Sequence, residues 1–71
     1  MDNGSAKTAE YLSNVADANG EDLADLLKST GIRLTNVAQI GVGAAMKLRD
    51  NYGANPYDFY RAIEADVEAS R

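Results

Sequence analysis

Eleven carboxylates, with no histidine and no cysteine, bound the chemistry this chain can perform. Paired acids at helical spacing are the first candidates: Asp22 with Asp25, three apart, and Glu64 with Glu68, four apart, each share a helix face. Catalytic carboxylate pairs need a cleft and an apolar setting that drives their pKa values apart. These acids lie instead on polar faces, and Glu21, Asp25 and Lys28 fall in the i to i+4 register of a solvated, charge-compensated helix. The lack of histidine removes the commonest general base and metal ligand. The lack of cysteine removes thiolate nucleophiles, thiolate metal sites and disulfides. With no glycine-rich phosphate loop either, an enzyme is not expected, and no catalytic residue, metal site or cofactor is assigned.

Seventy-one residues make one small domain. A chain of this size buries only about 60% of its unfolded surface, so its stability rests on tidy helix packing or on burial against a second copy or a partner. A net charge of −4 and a pI of about 4.5 disfavour general nucleic-acid or anionic-membrane binding. No apolar run approaches the roughly 20 residues of a membrane span. Residues 1–7 lack the layout of a signal peptide and read as a flexible N-terminus, with a single helical domain over 8–71 and a cytoplasmic location expected.

The elements that would position any site are helical. Strand-like alternation is missing, and Thr8, Tyr11, Leu12 and Val15 share one stripe, with Lys7, Glu10, Asn14 and Asp17 opposite. Asn19-Gly20 is a stop signal. Leu23, Leu26 and Leu27 form the next stripe, closed by Gly31 as a left-handed cap and Ile32 as its apolar contact. Thr35 is the expected N-cap of a segment running from Asn36 to Tyr52, with Val37, Ile40, Gly41, Ala44, Ala45, Leu48 and Tyr52 on one face. Gly53 closes that segment. Asn55-Pro56 then starts a helix whose core stripe is Phe59, Tyr60, Ile63 and Val67, with Asp58, Arg61, Glu68 and Ala69 facing water. The fold class is all-α, a small bundle of four to five short helices.

A 22-residue repeat runs through this pattern. Leu12-Ser13-Asn14-Val15-Ala16 returns as Leu34-Thr35-Asn36-Val37-Ala38, and Leu26 pairs with Leu48, Asn19 with Gly41, and Gly31 with Gly53. Gly41-Val42-Gly43 places two helix-weakening residues close together. The helix from Asn36 to Tyr52 therefore either stays continuous or breaks at Gly41, and the repeat favours a break because Asn19-Gly20 occupies the equivalent place. A break predicts a glycine-favoured backbone at Gly41.

Read with that break, Val37 to Gly53 resembles the helix-hairpin-helix motif: Ile40-Gly41, Ala45, Lys47-Leu48 and Tyr52-Gly53 fall in register, and the stretch around Val15, Asn19, Leu26 and Gly31 gives a looser copy. The resemblance implies two degenerate helix-hairpin-helix-like units. It also implies contact between a nucleic-acid phosphate and the hairpin backbone at Gln39, Gly41 and Gly43, aided by Lys47 and Arg49. The chain departs from the motif where Gln39 replaces the first hairpin glycine and where Gly43 replaces a basic residue. Asp17, Glu21 and Asp22 in the first copy would repel phosphate. A helix-turn-helix is a second nucleic-acid pattern, with Arg33, Thr35, Asn36 and Gln39 as its reading face.

The leading expectation is a non-catalytic module that binds another protein chain, its own copies included. Val42 and Met46 lie one turn apart and point away from the packing face, and flexible methionine suits an adaptable contact. Gly43 beside them leaves room for another backbone. Of Tyr52, Tyr57 and Tyr60, which surround the Gly53–Pro56 turn, Tyr57 is the one expected outside. Val42, Met46 and Tyr57 are thus the candidate partner interface.

Overall fold

Local signals place most of the helix boundaries. The computed structural model describes residues 5–70, and its elements are α1 (Ala6–Ala18), α2 (Leu23–Thr30), a 3-10 segment (Leu34–Gln39), α3 (Val42–Tyr52) and α4 (Pro56–Ala69). The protein is all-α, with no strand among the described residues. Of the stretch expected to be flexible, residues 1–4 lie outside the described residues, while Ala6 and Lys7 already belong to α1.

At the start of α4, the Asn55 side chain accepts a hydrogen bond from the Tyr57 backbone N–H at 2.9 Å, and Pro56 fills the first helical position, where its missing N–H costs nothing. α2 and α3 end alike. Gly31 (φ 73°) and Gly53 (φ 69°) adopt the left-handed conformation that glycine reaches without steric penalty. Their N–H groups donate to the Leu27 and Arg49 carbonyls, and the next residues, Ile32 and Ala54, are buried. The repeat is therefore structural in its second half: helix, left-handed glycine, buried aliphatic residue. Its first half is not, because the residues that are helical in α1 return as the 3-10 segment.

The chain does break before Gly41. Asn36 (φ −149°, ψ 79°) interrupts the 3-10 segment, whose N-terminal flank is Arg33 and not Thr35, and Ile40 is extended. Gly41 is the N-cap of α3 at φ −98°, ψ 178°. This corrects the expectation of a glycine-favoured backbone: the residue is in an ordinary extended conformation, and a Cβ built there meets nothing within 4 Å. Nor is Gly41 equivalent to Asn19, which ends α1 where Gly41 begins α3. Gly41→Asn should therefore be more stable than Gly41→Ala by about 1 kcal/mol, because asparagine caps a helix start and alanine does not. Urea melts of the two variants check this. Alanine as the more stable replacement would show that the α3 start is not where the structure puts it.

The core is one cluster of Leu12, Ala16, Leu26, Ile32, Ala45, Leu48, Ala54 and Phe59. α1 packs most extensively on α4, and α2 and α3 close the other sides. Phe59 is fully buried and stacks on Tyr11, with ring centroids 6.0 Å apart. Tyr60, expected in the core stripe, is 37% exposed: Phe59 takes the inward position, and the next residue turns out of the core.

Candidate functional site

Two places gather polar groups, and the first joins residues far apart in the sequence. Asp66 in α4 is buried, and its Oδ1 and Oδ2 accept hydrogen bonds from the backbone N–H groups of Lys7 (2.8 Å) and Thr8 (2.7 Å). These are orphan donors in the first turn of α1. Ser5, the residue before that turn, makes no side-chain cap. A carboxylate from the far end of the chain does the capping instead, with its charge at the favourable end of the helix dipole. The sequence carried a signal for this: Asp66 stands in register with Phe59 and Ile63, at i+7 and i+3, an acid on a core-facing stripe.

Beside Asp66, the buried Thr8 Oγ1 has no hydrogen-bond partner. A buried hydroxyl without a partner costs stability, whereas an apolar group of the same shape does not. Thr8→Val should leave stability unchanged or raise it by about 1 kcal/mol, in line with the desolvation cost of such a group. Thermal melts would read this, and a loss of the same size would show that the hydroxyl has a partner.

The second place is a cleft of about 390 Å³ above the start of α3. Arg33, Thr35, Asn36 and Gln39, the residues of the helix-turn-helix pattern, line it together with Gly41 and Ala44. Of the hairpin phosphate set, Gln39 and Gly41 thus come together. Gly43, Lys47 and Arg49 are not among the lining residues, and Arg49 pairs with its neighbour Asp50 at 3.2 Å. Arg33, Thr35, Asn36 and Gln39 are all exposed, and α3 has no acidic residue in its first turn. The cleft can present the polar side chains of Arg33, Thr35, Asn36 and Gln39 to a ligand oxygen.

The candidate interface residues are at the surface: Val42 is 65%, Met46 47% and Tyr57 72% exposed. Val42 and Met46 adjoin on one face of α3. Tyr57 stands on α4, beyond the opposite end of α3 from Val42, so the structure does not join all three within one turn. No Cβ contact would form at Gly43, which leaves the helix open beside Met46.

Asp22, Asp25, Glu64 and Glu68 are exposed. Glu21 accepts a hydrogen bond from the Tyr52 hydroxyl at 2.6 Å rather than pairing with Lys28. That bond is the main reason the Tyr52 hydroxyl lies above the ordinary phenol range, opposed in part by the nearby Ser29 hydroxyl. A raised folded-state value means that its contribution is in place below the unfolded phenol's pKa of about 10 and is lost as pH rises through the folded value. The Tyr11 hydroxyl, bonded to the Asn55 carbonyl at 3.1 Å, is raised first by burial and then by the Asp58 charge. Among the described residues, no cluster of acidic side chains could hold a metal ion, and no helix is long and apolar enough to cross a membrane.

The fold thus defines a small all-α protein with a capped four-helix core. The chain matches no protein-family model, no curated protein and no solved structure.

Proposed function

We propose that this chain is a non-catalytic helical module that binds another protein chain, with a second copy of itself as the first partner to test. The observation that carries the reading is the outer face of α3. Val42 and Met46 stand together in solvent while Ala45 and Leu48 of the same helix are buried. Adjoining apolar side chains on a helix whose packing face is already filled are suited to contact outside the chain. Gly43, between them, lets a partner backbone approach closely. Tyr57 adds a second exposed anchor on α4, outside the α3 face.

Size-exclusion chromatography with light scattering over a wide concentration range tests the reading. The wild type should move toward a dimer or larger species as concentration rises, and the Val42→Lys, Met46→Glu double variant should remain monomeric. Both positions are exposed, so the variant should melt within about 0.5 kcal/mol of wild type. A wild type monomeric throughout would remove self-association and leave a foreign protein as the partner.

The cleft above α3 supports a second reading, a nucleic-acid-binding unit of helix-hairpin-helix or helix-turn-helix type. It gathers Arg33, Thr35, Asn36 and Gln39 at a helix start. Such binding would weaken steeply with salt, the slope growing by roughly −0.9 per phosphate contact on duplex DNA. A gel-shift titration with duplex and branched DNA at low salt decides it, since low salt favours any contact of this kind. Lack of a shift at high micromolar protein would end this reading.

A further inference from the structure

We propose that Asn19 is a site of spontaneous modification, at which the side-chain amide is lost by cyclisation onto the Gly20 nitrogen and the product cannot remake the joint it leaves. Asn19 is exposed and ends α1. Its Nδ2 donates to the Val15 carbonyl at 2.9 Å and to the Tyr52 carbonyl, the last of α3, at 3.3 Å. One side-chain amide therefore fastens the end of α1 to the end of α3. The following residue is glycine, which puts no Cβ beside the backbone nitrogen that must attack.

The step balances without an oxidant or reductant. The Gly20 backbone nitrogen bonds to Asn19 Cγ, and the Cγ–Nδ2 bond breaks. Ammonia leaves with the backbone proton, and a cyclic imide remains. Water then opens the imide at either carbonyl to give aspartate or isoaspartate, so one water is consumed for each ammonia released. In the folded chain three bonds hold the reacting groups back. The Gly20 N–H donates to the Asp17 carbonyl at 3.0 Å, and the leaving amide is engaged twice. The reaction proceeds only when the last turn of α1 opens, a local event at an exposed helix end.

The product differs in kind from the starting residue. A carboxylate has no hydrogen to offer the Val15 and Tyr52 carbonyls, so a donor facing two acceptors becomes an acceptor facing two acceptors. It also puts negative charge at the C-terminal ends of two helices, where the dipole disfavours it. Glu21, already bonded to the Tyr52 hydroxyl, adds a second carboxylate on the same residue of α3. Isoaspartate further lengthens the backbone of the turn between α1 and α2.

The full chain, kept in warm, mildly alkaline buffer with and without urea, is sampled by peptide mapping that resolves aspartate from isoaspartate. Both products should appear at position 19 in the folded protein, and several-fold faster in urea. Asn19→Asp and Asn19→Ala are then compared by thermal melts. Aspartate should be the less stable, because alanine only loses the joint whereas the carboxylate repels it. Lack of product in the folded chain while the urea sample converts would overturn the proposal, as would an Asn19→Asp variant at least as stable as Asn19→Ala.

Discussion

Replacement of Asp66 by alanine is expected to cost about 2–4 kcal/mol, since it removes two hydrogen bonds to a charged acceptor and leaves their donors unpaired. The two donors are not equal. The Thr8 N–H is buried, so water cannot take the place of the carboxylate there, whereas the Lys7 N–H is only partly covered and can be hydrated. The helix also loses its N-terminal anion, the role Ser5 leaves vacant. A small domain holds roughly 5–15 kcal/mol in total, and one of 71 residues sits toward the lower end, so this single side chain accounts for much of the margin. Asp66→Asn should fall between. Its amide oxygen can serve one donor, but its NH2 group faces the other. Urea melts of wild type, asparagine and alanine should show that order. An alanine variant within about 0.5 kcal/mol of wild type, the scatter of ordinary surface substitutions, would mean that the cap is not made.

Phe59→Ala should cost about 3–5 kcal/mol, the range for deleting a fully enclosed aromatic ring. The ring is fully buried between the α1 and α4 seam and the rest of the core, with Tyr11 stacked on it at 6.0 Å and Tyr60 tilted against it at 6.1 Å. Its loss leaves a void that the surrounding helices, pinned by Asp66 and by the Tyr11 bond to Asn55, cannot easily close. Phe59→Leu refills most of that void and should cost about 1–1.5 kcal/mol, as shape changes at nearly conserved volume do. The near-ultraviolet signal of Tyr11 offers a second measure, because its stacking partner is gone in both variants. Equal stability of the alanine and leucine variants would contradict the enclosure of this ring.

What the sequence revealed divides by distance along the chain. Asn55-Pro56, Gly31-Ile32 and the closing Gly53 are legible because each signal and its partner lie within one or two turns. The all-α class and the stripes through Leu12, Leu26 and Leu48 followed from periodicity alone. At Gly41 a repeat in residue types is not a repeat in conformation. Asn19 ends a helix on its own side-chain bond, whereas Gly41 merely precedes one. The irregular turn at Asn36 carries no residue-type signature, since nothing about an asparagine after Thr35 forces that interruption. Asp66 is harder to read. Its partners are 58 and 59 residues away, and an acid near a helix end reads as solvated unless its place on the core stripe is weighed. At the surface, the exposure of Val42 and Met46 follows from their turning away from the packed stripe, and Tyr57 is exposed as the outer member of the tyrosine cluster.

The reach of Asp66 also sets an order of events during synthesis. The residues of α1 leave the ribosome before those of α4, yet the acceptor for their leading N–H groups is not made until α4 has almost been completed. A nascent chain that ends before residue 66 therefore lacks the cap for the start of α1, which completes its structure only after α4 docks. Contacts this distant in sequence are costly to close early and form late. Released chains truncated before residue 66 and the full chain should thus differ in proteolysis at the first turn of α1, the shorter being cut and the longer protected.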